Sequence, residues 1–80
     1  MARAEKLVHA MQRNPSGDWT IDDVKAVCRE YDIVCEAPKR GSHFSLKHSQ
    51  IAGRLTIPSR RPIKPIYIKL LLGMIEALES

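Results

Sequence analysis

The stretch Lys-Arg-Gly-Ser-His-Phe-Ser-Leu-Lys-His, residues 39–48, decides the fold of this chain. From Ser42 onward polar residues alternate with apolar ones, which is the two-residue period of a strand with one buried and one exposed face. Phe44 and Leu46 fall on the buried face, so the side chain of His43 is expected on the exposed face. The stretch therefore predicts a strand that presents an imidazole to solvent.

The residues before this strand are predicted to form a loop that carries positive charge. Pro38 and Gly41 are typical loop residues, and glycine adopts backbone angles that are closed to other residues. Lys39 and Arg40 lie between them. We expect the loop to bring two cations close to the imidazole of His43, and we interpret this region as a candidate active site.

Two further strands are predicted beside the first. They cover residues 33–37 and, after a turn at 49–53, residues 54–58. In the third strand Leu55 and Ile57 are expected to join the core, which leaves Arg54 and Thr56 on the face that carries His43. The three runs are separated by short turns, which is typical of an antiparallel meander.

The remaining segments have the spacing of amphipathic helices, predicted over residues 2–13, 21–31 and 66–78. Thr20 and Asp23 have the spacing of a capping box at the start of the second helix, and Trp19 is expected to pack against Val24. The buried stripe of the last helix is expected to comprise Ile66, Leu70, Leu71, Met74, Ile75 and Leu78.

The predicted order is α-β-β-β-α with an extra N-terminal helix, so the fold class is α+β. Helices on one face of a three-stranded antiparallel sheet are the layout of a double-stranded-RNA-binding fold. The chain has 80 residues, which suits one compact domain. Within it, residues 1–19 are interpreted as an N-terminal helical extension, and residues 20–80 as the main part.

The net charge of +4 hides a strong asymmetry along the chain. Residues 37–75 contain eight basic side chains and no acidic one, whereas residues 1–36 contain five basic and seven acidic side chains. A basic segment of this kind is an electrostatic footprint suited to phosphates. Solubility alone also explains basic surface residues, but it explains less well a run of thirty-nine positions without an acid.

Several classes of protein are not indicated. No apolar run is long enough to span a membrane, and charged residues interrupt the N-terminus where a signal peptide needs an apolar core, so we expect a cytoplasmic protein. Cys28 and Cys35 are expected to be reduced, buried thiols, because no second pair of cysteine or histidine residues has the spacing of a zinc site. We expect neither a metal nor a cofactor.

Three motifs resemble the HicA toxins of bacterial toxin–antitoxin pairs. They are Gly-Ser-His at 41–43, Leu-Thr-Ile-Pro at 55–58, and Ile-Lys-Pro at 63–65 before the last helix. The resemblance covers roughly residues 24–78, so residues 1–19 precede it. The chain also differs at Phe44, where some relatives have a second histidine. It implies a small ribonuclease that cleaves messenger RNA, uses the motif histidine and is silenced by a HicB antitoxin covering the site.

On this resemblance His43 is the catalytic residue. An imidazole exchanges protons near neutral pH, so His43 is expected to activate a ribose 2′-hydroxyl without a metal, giving a 2′,3′-cyclic phosphate and a 5′-hydroxyl. His48 is the nearest substitute for a second imidazole, but its place in the strand alternation disfavours a catalytic role. Glu36 could approach the site but is expected to be solvated. The hydroxyl of Tyr67 could touch RNA, although packing is its expected role. The residues expected to bind RNA are Lys39, Arg40, Ser42, Lys47, Arg54, Arg60, Arg61 and Lys64.

The expected partners are an mRNA substrate and a HicB-like antitoxin that covers the basic face, with DNA contacted only indirectly through the antitoxin. The main alternative is a non-catalytic module of the same fold that grips RNA by shape and phosphate contacts. A helix-turn-helix for DNA is disfavoured because Asp22 and Asp23 on its second helix would repel phosphate. A serine hydrolase is disfavoured because no carboxylate lies in the motif region to orient Ser42 and His43.

Overall fold

The order of helices and strands follows the pattern in the sequence. A computed structural model describes residues 3–79 of the chain. Its elements are α1 (Arg3–Arg13), α2 (Ile21–Glu30), β1 (Val34–Glu36), β2 (His43–His48), β3 (Ile51–Pro58) and α3 (Pro65–Glu79). The α+β class and the α-β-β-β-α layout with an additional first helix are confirmed. Ala2, predicted to begin the first helix, and Ser80 lie outside the described residues.

The three strands form one antiparallel sheet in the order β1-β2-β3. His43 lies opposite Pro58 and Phe44 lies opposite Ile57 across the β2–β3 pair. Residues directly opposite each other share a face of the sheet. Leu46 and Ile57 are fully buried, whereas His43 is exposed, so the alternation predicted for β2 is confirmed.

The third strand begins three residues earlier than predicted. Leu46 pairs with Leu55, but His48 pairs with Ile51, so β3 holds two more residues than β2 between these pairs. Gly53 lies in this irregular part with a φ of 77°, a left-handed conformation that glycine adopts without a steric penalty. The turn predicted over 49–53 is confined to residues 49 and 50, because Gly53 belongs to a bulge inside the strand.

All three helices contribute to one hydrophobic core that covers a single face of the sheet. α2 contacts β1, α3 contacts β3, and α1 contacts both α2 and α3. Val8 and Met11 from α1 are buried in the same cluster as Val27 from α2 and Leu46 from β2. The N-terminal extension therefore shares its core with the rest of the chain, and the opposite face of the sheet is left open.

The buried stripe of α3 differs from the predicted one. Leu71, Met74 and Ile75 are buried as expected, but the side chains of Ile66 and Leu70 are 62% and 50% exposed. Ile68, which was not predicted, is fully buried instead. Apolar residues surround much of this helix, so their spacing admits more than one buried stripe, and packing against β3 and α1 selects among them. None of the helices within residues 3–79 combines the length and apolar character needed to cross a membrane.

The start of α2 has the predicted capping box. The backbone amide of Asp23 donates to Oγ1 of Thr20, and the amide of Thr20 donates to Oδ2 of Asp23 at 3.0 Å. Trp19 is partly buried against the core cluster that contains Val24, and its indole donates to the carbonyl of Asn14 at 2.9 Å. Its own carbonyl accepts a hydrogen bond from the amide of Ile63 at 2.8 Å, which ties the loop after β3 to the segment before α2.

Candidate nucleic-acid interface

An open groove lies beside the start of β2, where the loop after β3 meets the first turn of α3. Its volume is about 360 Å³. The lining contains three cations, one tyrosine, two prolines and one serine, and no acidic residue: Ser42, Pro58, Arg60, Arg61, Pro62, Lys64 and Tyr67. Four of the eight residues predicted to bind RNA are therefore brought together here, namely Ser42, Arg60, Arg61 and Lys64.

His43 lies at the rim of this groove. It directly follows Ser42 and is the cross-strand partner of Pro58, and both of those residues line the groove. The carbonyl of Ser42 accepts a hydrogen bond from the amide of Ser59 at 2.7 Å, which holds the start of β2 against the groove loop. The imidazole is exposed to solvent and forms no side-chain hydrogen bond or ion pair with any residue between 3 and 79. His43 itself is not one of the lining residues, and its imidazole is open to solvent beside the groove.

One of the groove cations is paired. The guanidinium of Arg61 donates to both carboxylate oxygens of Asp18, with the shortest N–O distance at 2.6 Å. This hydrogen bonding holds the pKa of the Asp18 carboxyl below its ordinary value. Asp18 is distant in sequence and lies outside the acid-free segment, so the pairing was not anticipated. Among the groove cations, Arg60 and Lys64 are the ones that make no ion pair within residues 3–79.

A second predicted RNA-binding cation is also paired. Nζ of Lys47 lies 2.7 Å from Oε1 of Glu36 on the open face of the sheet. The hydrogen bond from Lys47 lowers the pKa of the Glu36 carboxyl, and the charges of Lys47 and Arg54 add to that effect. Glu36 was expected to be merely solvated, but it offsets the charge of the cation beside it. Lys47 is thus less available to phosphate than its position in the sequence indicates.

The remaining predicted contacts lie outside the groove. Lys39 and Arg40 are exposed in the loop between β1 and β2, where Gly41 has a φ of 80° in keeping with its predicted role in the turn. Arg54 is exposed in β3 beside the bulge. These three cations are therefore exposed, but the groove does not bring them together with Arg60 and Lys64.

The two strand histidines occupy opposite ends of β2. His48 pairs with Ile51 beside the β2–β3 turn, and its Nδ1 accepts a hydrogen bond from the amide of Gln50 at 3.0 Å. It lies five residue steps along the strand from His43, or about 17 Å at the usual rise. His48 therefore does not lie where it could assist His43.

Phe44 points away from the exposed imidazole. The ring is half-buried on the helical side of the sheet, and Nζ of Lys25 lies 5.1 Å from its centroid. An ammonium group at this distance from an aromatic face is attracted to it. A second imidazole at this position would face the helices and not the groove.

The two cysteines are free thiols. Cys28 is buried as expected, and burial raises the pKa of its thiol to about 12. Cys35 is only half-buried, because it lies on the short edge strand β1. Within residues 3–79 no group of three or more histidine, cysteine, aspartate or glutamate side chains is placed to hold a metal ion.

Three lining residues of the groove were not predicted to bind a ligand, namely Pro58, Pro62 and Tyr67. The available signal was the Ile-Lys-Pro motif, because a proline at 65 begins α3 and places Tyr67 in its first turn. Packing was expected for Tyr67, and its ring does contact the core, but it also forms one wall of the groove.

The groove, its two unpaired cations and the adjacent imidazole thus form the best-defined candidate site in the described part of the chain. No family model, curated protein or solved structure matches this chain.

Proposed function

We propose that this chain is a metal-independent endoribonuclease of the HicA type, the toxin component of a toxin–antitoxin pair that cleaves messenger RNA. The observation that carries the proposal is the position of His43. Its imidazole is exposed at the rim of a groove that contains Arg60 and Lys64, and it follows Ser42 in the motif that resembles HicA. A base beside a phosphate-binding groove is the minimal arrangement for cleaving RNA through its own 2′-hydroxyl.

In the proposed reaction the neutral imidazole of His43 accepts the proton of a ribose 2′-hydroxyl. The 2′-oxygen forms a bond to the adjacent phosphorus, and the bond from phosphorus to the 5′-oxygen of the next nucleotide breaks. The departing oxygen takes a proton from solvent, which yields a 2′,3′-cyclic phosphate and a 5′-hydroxyl. Arg60 and Lys64 stabilise the charge that develops on the phosphoryl oxygens. This chemistry requires no metal or cofactor.

The fold supports the same proposal. Helices packed on one face of an antiparallel sheet leave the other face open, as in the double-stranded-RNA-binding layout. We assign the chain to that layout with α1 as an additional helix. The open face carries His43, and the loops at its edge carry Lys39 and Arg40.

The proposal includes a protein partner. A HicB-like antitoxin would cover the basic face and occupy the surface that RNA requires, so we expect its contact surface to be acidic. DNA would be contacted only through that antitoxin. The expected location is the cytoplasm, where mRNA is available.

The test is a cleavage assay with purified protein on a single-stranded RNA, with the product ends identified. Wild-type protein should leave 2′,3′-cyclic phosphate and 5′-hydroxyl ends, and His43→Ala should reduce the rate at least 100-fold, the lower end expected for a general base. His48→Ala is the matched control, because that imidazole lies at the far end of the strand, and it should cleave normally. Cleavage that survives His43→Ala would remove His43 from the mechanism.

The alternative is a non-catalytic RNA-binding module of the same fold. It is favoured by the sparse surroundings of His43, whose imidazole has no side-chain partner within residues 3–79 and therefore no second acid–base group beside it. The two functions differ in their response to mutation. A binding module keeps its effect in His43→Ala but loses RNA affinity when Arg60 is replaced by Glu, whereas the nuclease loses cleavage in His43→Ala and keeps its affinity.

A further inference from the structure

The groove has a composition that phosphate binding alone does not require. Phosphate needs cations and hydrogen-bond donors, but this groove is also walled by the ring of Tyr67 and the faces of Pro58 and Pro62. A volume of about 360 Å³ lies within the usual range for small-molecule sites. The groove is thus larger and more apolar than a phosphate site needs to be.

The side chain of Tyr67 is accessible to a ligand in the groove. Tyr67 is half-buried, so its ring is supported by the core on one side while it lines the groove on the other. Its hydroxyl has no hydrogen-bond partner within residues 3–79. Aromatic rings beside basic side chains are the usual platform on which unpaired bases stack.

The polar part of the groove fits the backbone of the same ligand. Arg60 and Lys64 are exposed and carry no ion pair within residues 3–79, so both charges are available. The groove also lies at the N-terminus of α3, where the helix dipole favours an anion. One ligand that presents a flat ring and an adjacent phosphate would satisfy both halves of the groove.

We propose that this groove is a nucleotide subsite in which one unpaired base of a single-stranded RNA stacks on Tyr67 while its phosphate contacts Arg60 and Lys64. The inference rests on the proposed function and specifies the form of its substrate. Bases within a duplex are stacked on each other and offer no free face, so the groove selects single-stranded or splayed-out nucleotides. Because His43 neighbours two of the residues that line the groove, the proposal puts the scissile phosphate next to the bound base.

The test measures binding without cleavage. The probe is a 2′-O-methyl RNA pentanucleotide, which lacks the attacking hydroxyl and stays intact, together with a set of versions in which each base in turn is removed. Wild-type protein should bind the intact probe, and one abasic position should weaken binding roughly five- to hundred-fold, as expected for the loss of one stacked base. This measurement needs no protein variant.

Protein variants test whether the affinity lost with the abasic probe depends on the ring of Tyr67. Tyr67→Leu should weaken binding of the intact probe by a similar factor, and in this variant the critical abasic position should no longer matter. Tyr67→Phe keeps the ring and should bind within about twofold of wild type. Ile66→Ala is the matched control, because that side chain neighbours Tyr67 but is exposed outside the groove, and it should bind as wild type.

Either of two results would overturn the inference: every abasic probe binding as tightly as the intact one, or a folded Tyr67→Leu protein retaining full affinity. Failure of the proposed function looks different. If RNA is never cleaved but one abasic position and Tyr67→Leu still weaken binding together, the base subsite stands and the nuclease assignment falls. If RNA is cleaved normally by Tyr67→Leu and its affinity is unchanged, the subsite falls and the nuclease stands.

Discussion

Arg61 and Asp18 are joined across the chain by a bidentate ion pair, with Nη2 of the arginine 2.6 Å from Oδ2 of the aspartate. The pair joins the loop after β3 to the segment before α2. It also neutralises Arg61, which is one of the three cations that line the groove. Its guanidinium is already hydrogen-bonded to a carboxylate, so we expect Arg61 to contribute less than Arg60 to the proposed RNA binding.

Asp18→Asn is therefore expected to strengthen RNA binding. The substitution frees the guanidinium of Arg61 for phosphate, so the slope of log affinity against log salt concentration should become steeper by about 0.7, the value for one added contact to a single strand. Fluorescence anisotropy with labelled RNA at several salt concentrations measures both quantities. Asp22→Asn removes the same charge from an exposed position on α2 and should leave the slope unchanged. Unchanged or weaker binding by Asp18→Asn would contradict the assigned pairing.

Arg60→Ala and Lys64→Ala should each weaken RNA binding and reduce the salt slope by about 0.7. Both side chains line the groove and lack an ion pair within residues 3–79. Lys6→Ala is the control, since Lys6 is exposed on α1, away from the groove. The same titrations provide the measurement. If all three variants lost the same affinity, RNA affinity would depend on the net charge of the protein and not on the side chains that line the groove.

Glu36 should titrate at a lower pH in the folded protein than in an unfolded chain. Because the hydrogen bond from Lys47 lowers the pKa of the Glu36 carboxyl, the charged form is favoured by folding. The resulting stabilisation is complete above the unfolded pKa and is lost as the pH falls through the folded one. A carbonyl-detected NMR titration follows this carboxyl, and Lys47→Met should move its midpoint upward. A midpoint unaffected by Lys47→Met would show that the ion pair is absent in solution.

Met11→Ala should lower the free energy of unfolding by about 2–5 kcal/mol, because the side chain is fully buried and its removal leaves a cavity. Leu70→Ala should change it by no more than about 0.5 kcal/mol, because that leucine is half exposed on α3. Urea denaturation monitored by circular dichroism compares the two variants. A Met11→Ala protein as stable as wild type would mean that α1 is not part of the core.

Cys28 should resist thiol reagents in the native protein. Its side chain is 1% exposed, and burial raises the pKa of the thiol to about 12, so the reactive thiolate is scarce at pH 8. With Cys35→Ser, Ellman's reagent should react slowly under native conditions and rapidly in denaturant. Rapid native reaction would indicate that α2 opens readily or packs differently.

The alternation along β2 was predictable because a period of two residues leaves little freedom, whereas the bulge in β3 was not. Once Phe44 and Leu46 are buried, His43 must be exposed, and the structure agrees. The capping box at Thr20 was likewise predictable from a three-residue spacing, because its hydrogen bonds are local. The buried stripe of α3 was not predictable, because apolar residues extend around this helix. Tertiary packing buries Ile68 in place of Ile66.

The candidate site was predictable in its cations but not in their pairing. The acid-free segment pointed to Arg60, Arg61 and Lys64, and these do line one groove. The carboxylate that pairs with Arg61 comes from a residue 43 positions earlier in the chain, a contact that no local spacing encodes. The role of Tyr67 as a groove wall likewise depends on how α3 docks, which its sequence alone does not determine.

The hydrogen bond from the amide of Ile63 to the carbonyl of Trp19 joins the groove loop to the single tryptophan of the chain. The indole of Trp19 is therefore an intrinsic fluorescence probe of this loop. A displacement of this loop on binding of an oligonucleotide would alter the emission of Trp19, so the proposed binding can be tested in unlabelled protein without any engineered dye.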